Sequence, residues 1–182
     1  ETLNSILDLS KLQSQKLDLR LSNIELIIMI RECKYVFSDT MNKKGLKFSV
    51  NADQEKVFVN TDQNILHKIL CNIIDNSVKY TSEGEISINI SETQDNVKIK
   101  VRDTGIGIPH ENLAQIFEPF RQGSEGLNRK FEGMGLGLTI TKKYVDLMKG
   151  EISLQSEENK GSTFTIKFSL MKPAITGKTF LT

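Results

Sequence analysis

The chain has 182 residues, 38% of them hydrophobic, and its 24 Lys and Arg nearly cancel its 23 Asp and Glu, for a net charge of +1. This length and composition fit one globular domain with about 30 residues besides, and the small charge disfavours a protein that mainly binds nucleic acid. The longest aliphatic run, residues 26–30, is far below the roughly 20 residues of a membrane span, and no secretory leader is expected.

The N-terminal quarter predicts two helices with a short strand between them. Residues 1–16 space their leucines as an amphipathic helix does, without a capping residue, which indicates the end of a longer helix. Strict alternation over residues 17–21 predicts a strand. Ser22 or Asn23 is expected to cap the second helix, which ends at Gly45.

The middle of the chain predicts four strands and one long helix. The helix begins at a cap, Thr61 or Asp62, and continues to about Tyr80. Turns are expected at residues 51–53 and 94–96, each between two strands. The four strands are residues 46–50, 56–59, 84–91 and 97–103.

The last part of the chain predicts helices and strands around a glycine-rich stretch. A short helix is expected at residues 111–117, and a longer one at 136–148 that Gly150 stops. The remaining segments are strands at 151–156 and 163–170 and a tail or linker at 171–182. Interleaved strands and long helices predict an α/β sandwich in which helices cover one face of a sheet.

The cysteines and histidines show no metal-binding spacing. Cys33 and Cys71 are far apart and form no CxxC pair, and His67 and His110 are equally separated. We therefore expect the thiols to pack as small apolar groups, with neither a disulfide nor a zinc site, and the histidines to be structural or superficial.

Two asparagines mark one face of the predicted long helix. Asn72, Asn76 and Lys79 or Tyr80 recur at i, i+4 and i+7, away from the apolar stripe. Asparagine is a poor helix former, so stacking two is costly unless their amides bind something. Amide oxygens suit a hard cation such as Mg²⁺. The alternative is a solvated face with incidental amides.

Two further clusters follow the strand that ends near residue 103. In Asp103-Thr104-Gly105-Ile106-Gly107-Ile108, glycines allow a tight turn and close approach of a ligand to the backbone. The carboxylate could accept a hydrogen bond from an exocyclic amine such as adenine N6, although an ordinary Asx turn explains the same motif. Phe117-Glu118-Pro119-Phe120 is by default a loop held to the core.

The fourth cluster, Gly133-Met134-Gly135-Leu136-Gly137-Leu138, opens a helix. Bare amides at a helix N-terminus, together with the helix dipole, form a phosphate site. No Rossmann βαβ context surrounds this run, and no Walker Gly-Lys-Ser/Thr follows it. The run therefore predicts a phosphate-binding loop of another kind.

Taken together and in this order, the four clusters resemble the N box, first glycine box, F box and second glycine box of the catalytic ATP-binding domain of sensor histidine kinases. Gly161-Ser162-Thr163 resembles a further element of that family. The resemblance covers about residues 21–170. It implies the Bergerat fold of the gyrase, Hsp90, histidine kinase and MutL superfamily, a two-layer α/β sandwich with a mixed, mostly antiparallel sheet.

The resemblance also implies a division of the chain. Residues 4–12 are similar to the end of the second helix of the family's dimerisation and phosphoacceptor domain. The implied units are 1–16 as part of that helix, 17–170 as the catalytic domain, and 171–182 as tail or linker. The family's phosphoaccepting His, in a His-Glu-x-x-Arg-Thr-Pro-type context, is absent, since neither His67 nor His110 has such a setting.

The roles of individual residues follow from the resemblance alone. Asn72, Asn76 and Lys79 form the implied catalytic set: the two amides hold Mg²⁺ and phosphate oxygens, and Lys79 pairs with a phosphate. Tyr80 packs beside the nucleotide and Asp103 selects adenine.

Glycines and a lid complete the implied nucleotide site. Gly105 and Gly107 keep the pocket floor open, while Gly135 and Gly137 present amides to the phosphates. The mobile lid over ATP is expected at residues 123–132. The other implied nucleotide-binding residues are Ile108, Gly133, Leu136, Leu138 and Thr163, with Arg121, Gln122, Arg129 and Lys130 as candidates to screen the γ-phosphate.

Three functions compete at this point: a histidine kinase catalytic domain, an ATPase of the same superfamily, and a non-catalytic nucleotide-binding module. The ATPases carry Glu at the position of Asn72 as general base, and an amide cannot take that proton. The favoured kinase implies ATP and Mg²⁺ as cofactors. Its implied partners are the dimerisation domain of the same protein and a response regulator, without nucleic acid or membrane contact by this segment. The segment is expected in the cytoplasm, within a homodimer, and an inner-membrane sensor is one expectation for the whole protein.

Overall fold

A computed structural model of the chain describes residues 2–13, 18–120 and 135–170. These residues form a five-stranded sheet, a two-stranded sheet and five α-helices. The strands are β1 (Leu21–Glu25), β2 (Lys47–Ala52), β3 (Phe58–Asp62), β4 (Glu85–Glu92), β5 (Asn96–Asp103), β6 (Glu151–Glu157) and β7 (Gly161–Ser169). The helices are α1 (Thr2–Gln13), α2 (Leu26–Val36), α3 (Ser38–Lys44), α4 (Gln63–Tyr80) and α5 (Gly137–Leu147), with a 3₁₀ turn at His110–Asn112.

The five-stranded sheet has the order β2-β4-β5-β7-β6. Its β2–β4 pair is parallel, and its other three pairs are antiparallel. The small sheet pairs β1 with β3 antiparallel and contacts α4. The predicted two-layer α/β sandwich with a mixed, mostly antiparallel sheet is confirmed.

Alternation along the strands separates a buried face from a polar one. Ile88, Val101 and Phe164, neighbours across β4, β5 and β7, are all buried. They belong to one core with the apolar stripe of α4, which contacts α2 on one side and α5 on the other. The stripe consists of Ile65, Leu66, Ile69, Leu70, Ile73 and Ile74.

The prediction for the segment after residue 17 is wrong in its boundaries. The strand begins at Leu21 rather than ending there, because residues 21–25 pair with β3. Glu25, not Ser22 or Asn23, caps α2 by accepting a hydrogen bond from the amide of Ile27 at 3.0 Å. The predicted single helix is two helices that meet at Phe37, and the second ends at Gly45 with a left-handed φ of 64°.

Two other local predictions differ from the structure. Asn51 and Ala52 continue β2 opposite β4 instead of forming the expected turn, and the next strand joins the other sheet. Residues 111–117 do not form a helix, because the amide hydrogen bonds of Leu113, Gln115 and Glu118 each reach back three residues rather than four.

The remaining predicted elements agree with the structure to within about three residues, and Asp62 caps α4 as expected. The predicted lid at 123–132 and the tail at 171–182 lie outside the described residues. Within the described part, no helix combines the length and the apolar character that a bilayer span requires.

Candidate nucleotide site

The far end of α4 carries the predicted basic and aromatic residues. The Lys79 ammonium lies 5.5 Å from the centroid of the Tyr80 ring, which is itself partly exposed. Burial raises the pKa of the Tyr80 phenol, and the nearby Asp75 carboxylate raises it further. The Lys44 ammonium at the end of α3 donates to the carbonyls of Val78, Lys79 and Thr81 at 2.6, 3.2 and 3.1 Å. A cation at this helix end satisfies free carbonyls and complements the helix dipole, so the end of α4 is fixed.

Asn72 meets the first turn of α5. Its amide nitrogen donates to Thr141 Oγ1 at 2.8 Å, so its acceptor oxygen Oδ1 is not used in that bond. A Cβ added at Gly137 would lie 2.4 Å from Oδ1, which places the oxygen directly against the start of the helix. Two of the predicted motifs, which are far apart in the sequence, are adjacent here and thus form one surface.

The start of α5 keeps backbone amides available for a ligand. The helix begins at Gly137 after Leu136, which makes no side-chain capping bond. Gly135 has a left-handed φ of 67°, and Leu136 is buried while Leu138 is half-buried. Gly133 and the four lid candidates, Arg121, Gln122, Arg129 and Lys130, lie outside the described residues.

Asn76 lies one turn beyond Asn72 on α4 and is also half-buried. Two amide oxygens on one helical face, beside the amides of α5, are a donor set that fits Mg²⁺ and phosphate oxygens. Because Gly137 has no Cβ, Asn72 Oδ1 can lie close to the start of α5. This arrangement is compatible with a bound Mg²⁺ and phosphate.

Asp103 ends β5 and is only 4% exposed. Its Oδ1 accepts hydrogen bonds from the amides of Gly105 at 2.9 Å and Ser162 at 3.2 Å, and its Oδ2 accepts from Ser77 Oγ at 3.5 Å. Burial raises the pKa of the carboxyl, and the three hydrogen bonds oppose that rise. The Gly105 bond alone would be an Asx turn, but the contacts from β7 and α4 fix the carboxylate in three dimensions.

The two glycines after Asp103 are required by the chain's own packing. A Cβ at Gly105 would lie 2.4 Å from the carbonyl oxygen of Tyr80, and one at Gly107 would lie 2.0 Å from that of Glu157. Gly107 also has a left-handed φ of 68°. The amide of Ile108 donates to Ser156 Oγ at 2.8 Å. These glycines let the loop lie against α4 and the β6–β7 turn, a tighter role than an open pocket floor.

Thr163 lies away from the other candidates. It alternates with buried Ser162 and Phe164 on β7 and pairs with Arg102, which is exposed on the uncovered face of the sheet. The assignment of Thr163 to the nucleotide site is therefore not supported by its position. Ser162, one residue earlier, contacts Asp103 instead.

Sequence reasoning missed three hydroxyl residues around Asp103. They are Ser77 and Ser162, which donate to its carboxylate from the side chain and the backbone respectively, and Thr81. Thr81 Oγ1 is buried without a hydrogen-bond partner among the described residues, and it would lie 2.9 Å from a Cβ at Gly105. An unpaired buried hydroxyl indicates a site that a ligand or a water completes. The sequence signal that could have identified Ser77 is its position directly after Asn76.

The Phe117–Phe120 motif is only partly held to the core. Phe117 is half-buried and packs on it, whereas Phe120 is 67% exposed and has a left-handed φ of 63°. The default interpretation of a loop pinned by both rings is wrong for Phe120.

One helix links the two halves of the site. Asn72 faces α5, and Ser77, five residues later, contacts Asp103, which corresponds to about 7.5 Å along the helix axis. The Asp103 carboxylate and the first turn of α5 therefore contact α4 at different heights along its axis.

Comparison with known proteins identifies relatives of this arrangement. The family model for "Histidine kinase-, DNA gyrase B-, and HSP90-like ATPase" matches residues 61–172. The hybrid signal transduction histidine kinase B of Dictyostelium discoideum is 35% identical over 171 residues, covering 91% of this chain and 9% of that protein. The autoinducer 2 sensor kinase/phosphatase LuxQ of Vibrio vulnificus is 36% identical over 177 residues, covering 93% and 21%. The chain thus spans about a fifth or less of the length of these relatives.

Two solved structures resemble the fold. Full-length ShkA in complex with AMPPNP has a TM-score of 0.81 and 26% identity, covering 91% of this chain and 34% of that one. The histidine kinase ThkA, in complex with the response regulator protein TrrA, has a TM-score of 0.73 and 23% identity, covering 92% and 48%.

Proposed function

Because the chain belongs to the family of histidine kinase-, DNA gyrase B- and HSP90-like ATPases, as the ATP-binding catalytic domain of a sensor histidine kinase, we propose that it transfers the γ-phosphoryl group of ATP to a histidine on a separate domain. The observation that carries the proposal is the contact of Asn72 with the first turn of α5, beside a buried Asp103.

Asp103 reads adenine in this proposal. Among the described residues, its Oδ2 has only the long contact from Ser77, so it can accept a bond from the exocyclic amine. Thr81 Oγ1 supplies a further hydroxyl at the same depth, directly or through a water. Tyr80 packs beside the base or sugar from the end of α4, and Gly105, Gly107 and Ile108 form the loop that closes this side.

Asn72 and Asn76 hold the phosphates and their Mg²⁺ from one side, and the amides of Gly135, Leu136, Gly137 and Leu138 bind phosphate oxygens from the other. Bound there, Mg²⁺ would neutralise phosphate charge. Lys79 adds a positive charge for the same oxygens. Phosphoryl transfer depends mainly on positioning and charge neutralisation, which are what these groups provide.

The absence of a base at position 72 favours a kinase over an ATPase. The family's ATPases use a Glu there to activate water, and the amide of Asn72 cannot accept that proton. Its nitrogen instead donates to Thr141. In a kinase the nucleophile is the histidine of another domain, so a base on this helix is not required.

The proposal includes a division of the chain and its partners. Residues 1–16 belong to the dimerisation helix, 17–170 to the catalytic domain and 171–182 to a tail or linker. Asp8 of α1 contacts Lys68 of α4 at 2.7 Å, and Leu9 and Leu12 pack on the core, which supports a docked position for that helix. A response regulator would receive the phosphoryl group from the dimerisation domain of a cytoplasmic or membrane-anchored homodimer, as the complex of ThkA with the response regulator protein TrrA suggests.

The test is incubation of the purified chain with ATP, Mg²⁺ and a separately supplied phosphoacceptor domain. We expect acid-labile phosphate on the supplied domain and none on the chain, which lacks the acceptor motif. A supplied domain whose acceptor histidine is replaced by Gln is the control. Phosphohistidine at His67 or His110 would contradict the proposal, and phosphate release to water at the same rate without any acceptor would favour the ATPase.

A further inference from the structure

Two cysteines and a histidine that lie far apart in the sequence meet between α2 and α4. Cys33 lies on α2 and is completely buried, and His67 and Cys71 lie one turn apart on α4 and are half-buried. The two sulfur atoms and one ring nitrogen all lie within 4.8 Å of one another. The sequence separation that argued against a zinc site therefore does not correspond to a separation in the fold.

The distances suit a small tetrahedral site. Cys71 Sγ lies 3.7 Å from His67 Nδ1 and 3.6 Å from Nε2. Zn²⁺ bonds of about 2.3 Å to sulfur and 2.0–2.1 Å to nitrogen, at tetrahedral angles, separate the two ligand atoms by about 3.6 Å. Cys33 Sγ lies 3.9 Å from the carbonyl oxygen of His67, so it is positioned over the same turn. Only small side-chain adjustments are needed for all three atoms to reach one ion.

The donor set selects for a particular class of metal. Two thiols and one imidazole are soft ligands that favour Zn²⁺ and similar ions over Mg²⁺ or Ca²⁺, which prefer oxygen. The His67–Cys71 spacing of four residues places both ligands on one helical face, as in other helical zinc motifs.

The cluster is separate from the nucleotide site. Asn72 turns toward α5 through its bond to Thr141, whereas Cys71 turns toward Cys33 on the opposite neighbour, α2. A metal at the cluster would connect the two helices without using any residue assigned to ATP or Mg²⁺.

We propose that Cys33, His67 and Cys71 bind one Zn²⁺ ion that joins α2 to α4, with the fourth coordination position filled by water. Three protein ligands with a solvent ligand are an established zinc arrangement. The ion binds the folded chain because α2 and α4 must be packed together to supply all three ligands, so it stabilises that state.

The test starts with the reduced, metal-free chain. Equilibrium dialysis against Zn²⁺ followed by elemental analysis should give one ion per chain, and Co²⁺ should give the thiolate-to-metal band and the visible bands of a tetrahedral site. Cys71→Ser and His67→Gln should each weaken Zn²⁺ by at least roughly tenfold, because loss even of a group outside the ligand shell costs about that much. Zn²⁺ should raise the melting temperature of the parent chain and not that of Cys71→Ser.

His110→Gln is the matched control, since His110 is exposed on the 3₁₀ turn and lies outside the cluster. It should bind Zn²⁺ like the parent. Cys33 is fully buried, so its replacement endangers the fold, and the two half-buried ligands carry the test. Unchanged Zn²⁺ affinity in both Cys71→Ser and His67→Gln, or Co²⁺ bound without a thiolate band, would overturn the proposal.

Discussion

Asp103 is a carboxylate that is held by two backbone amides and a serine hydroxyl rather than by a cation. Because desolvation outweighs these bonds, its pKa is raised above the ordinary value of 3.8. The folded chain therefore binds this proton more tightly than the unfolded chain does. The free energy of unfolding falls as the pH rises from that ordinary value through the raised one, and the loss persists at neutral pH.

We predict that Asp103→Asn separates stability from nucleotide recognition. At neutral pH the nucleotide-free variant should melt at the same temperature as the parent or higher, because it no longer carries a buried charge. It should bind ATP more weakly, by about 1–3 kcal/mol for a charge-assisted hydrogen bond, and lose much less for GTP, which has a carbonyl in place of the adenine N6 amine. Calorimetric titration with both nucleotides measures the difference.

Asp95→Asn is the control, because Asp95 is exposed in the turn between β4 and β5. It should change neither affinity. Equal losses for ATP and GTP in Asp103→Asn would show that the carboxylate organises the loop and does not read the base. For the parent, ATP affinity should decrease as the pH falls through the raised pKa of Asp103, since the protonated carboxyl accepts less well.

At the scale of single residues, the sequence predicted which motifs belong to the site better than which residue of a motif faces it. It selected Gly161-Ser162-Thr163, but only the register of β7 shows that Ser162 faces Asp103 and Thr163 faces away. A shift of one residue along a strand moves a side chain to the opposite face of the sheet, and no local sequence signal determines which face it occupies. The Cys33 contact was equally hidden, since it depends on how α2 packs against α4.

At the scale of elements, α4 organises the candidate site. Its cap, Asp62, accepts hydrogen bonds from the amides of Asn64 and Ile65 at 3.0 and 3.1 Å, and Lys44 holds its other end. With both ends fixed and one stripe buried, the positions of Asn72 and Asn76 along the helix are set by its pitch. A change on its polar face can then alter ligand binding without altering the fold.

We predict that Asn76→Ala abolishes phosphoryl transfer to the supplied domain and leaves the nucleotide-free melting temperature within a few degrees. Alanine is the better helix former, and Asn76 lies outside the buried stripe. The Mg²⁺-dependent stabilisation by ATP should shrink, since a ligand stabilises only as far as it prefers the folded state. Thermal melts with and without Mg·ATP, and the transfer assay, check this.

The matched variant is Asn64→Ala, an exposed asparagine in the first turn of the same helix. It should transfer phosphate normally. Normal transfer in Asn76→Ala would show that the amide is no metal ligand, and unfolding of that variant without nucleotide would show that the amide is structural.

The elements with the longest repeats were predicted most accurately from the sequence. The periodicity of α4 and the alternation of β4 and β5 continue over 18 and 8 residues, enough to fix type and position. The boundaries of the strand near residue 21 depend instead on the pairing of β1 with β3. Residues 110–118 form hydrogen bonds that reach back three residues, which the predicted α-helix does not have.

At the scale of the whole molecule, one strand pair differs from the rest. The edge strand β2 pairs in parallel with β4, and the whole of β3 and α4 lies between them in the chain. Parallel pairing requires such a crossover, whereas β4–β5 and β6–β7 close through short turns. The pairing of β2 therefore depends on a crossover connection, and β2 lies at an edge of the sheet.

This difference between β2 and the other strands predicts the order in which the strands open locally. The side chains of β2 are at most half-buried, and β4 is its single neighbour among the described strands, so its amides should exchange hydrogen for deuterium well before those of β5, which lies between two strands. Mass spectrometry of peptides covering 47–52 and 96–103 measures the contrast, and equal protection would contradict it. Since Asp103 ends β5, we expect the carboxylate that we propose as the adenine acceptor to belong to a slowly opening part of the sheet, so that local opening at the edge would leave it in place.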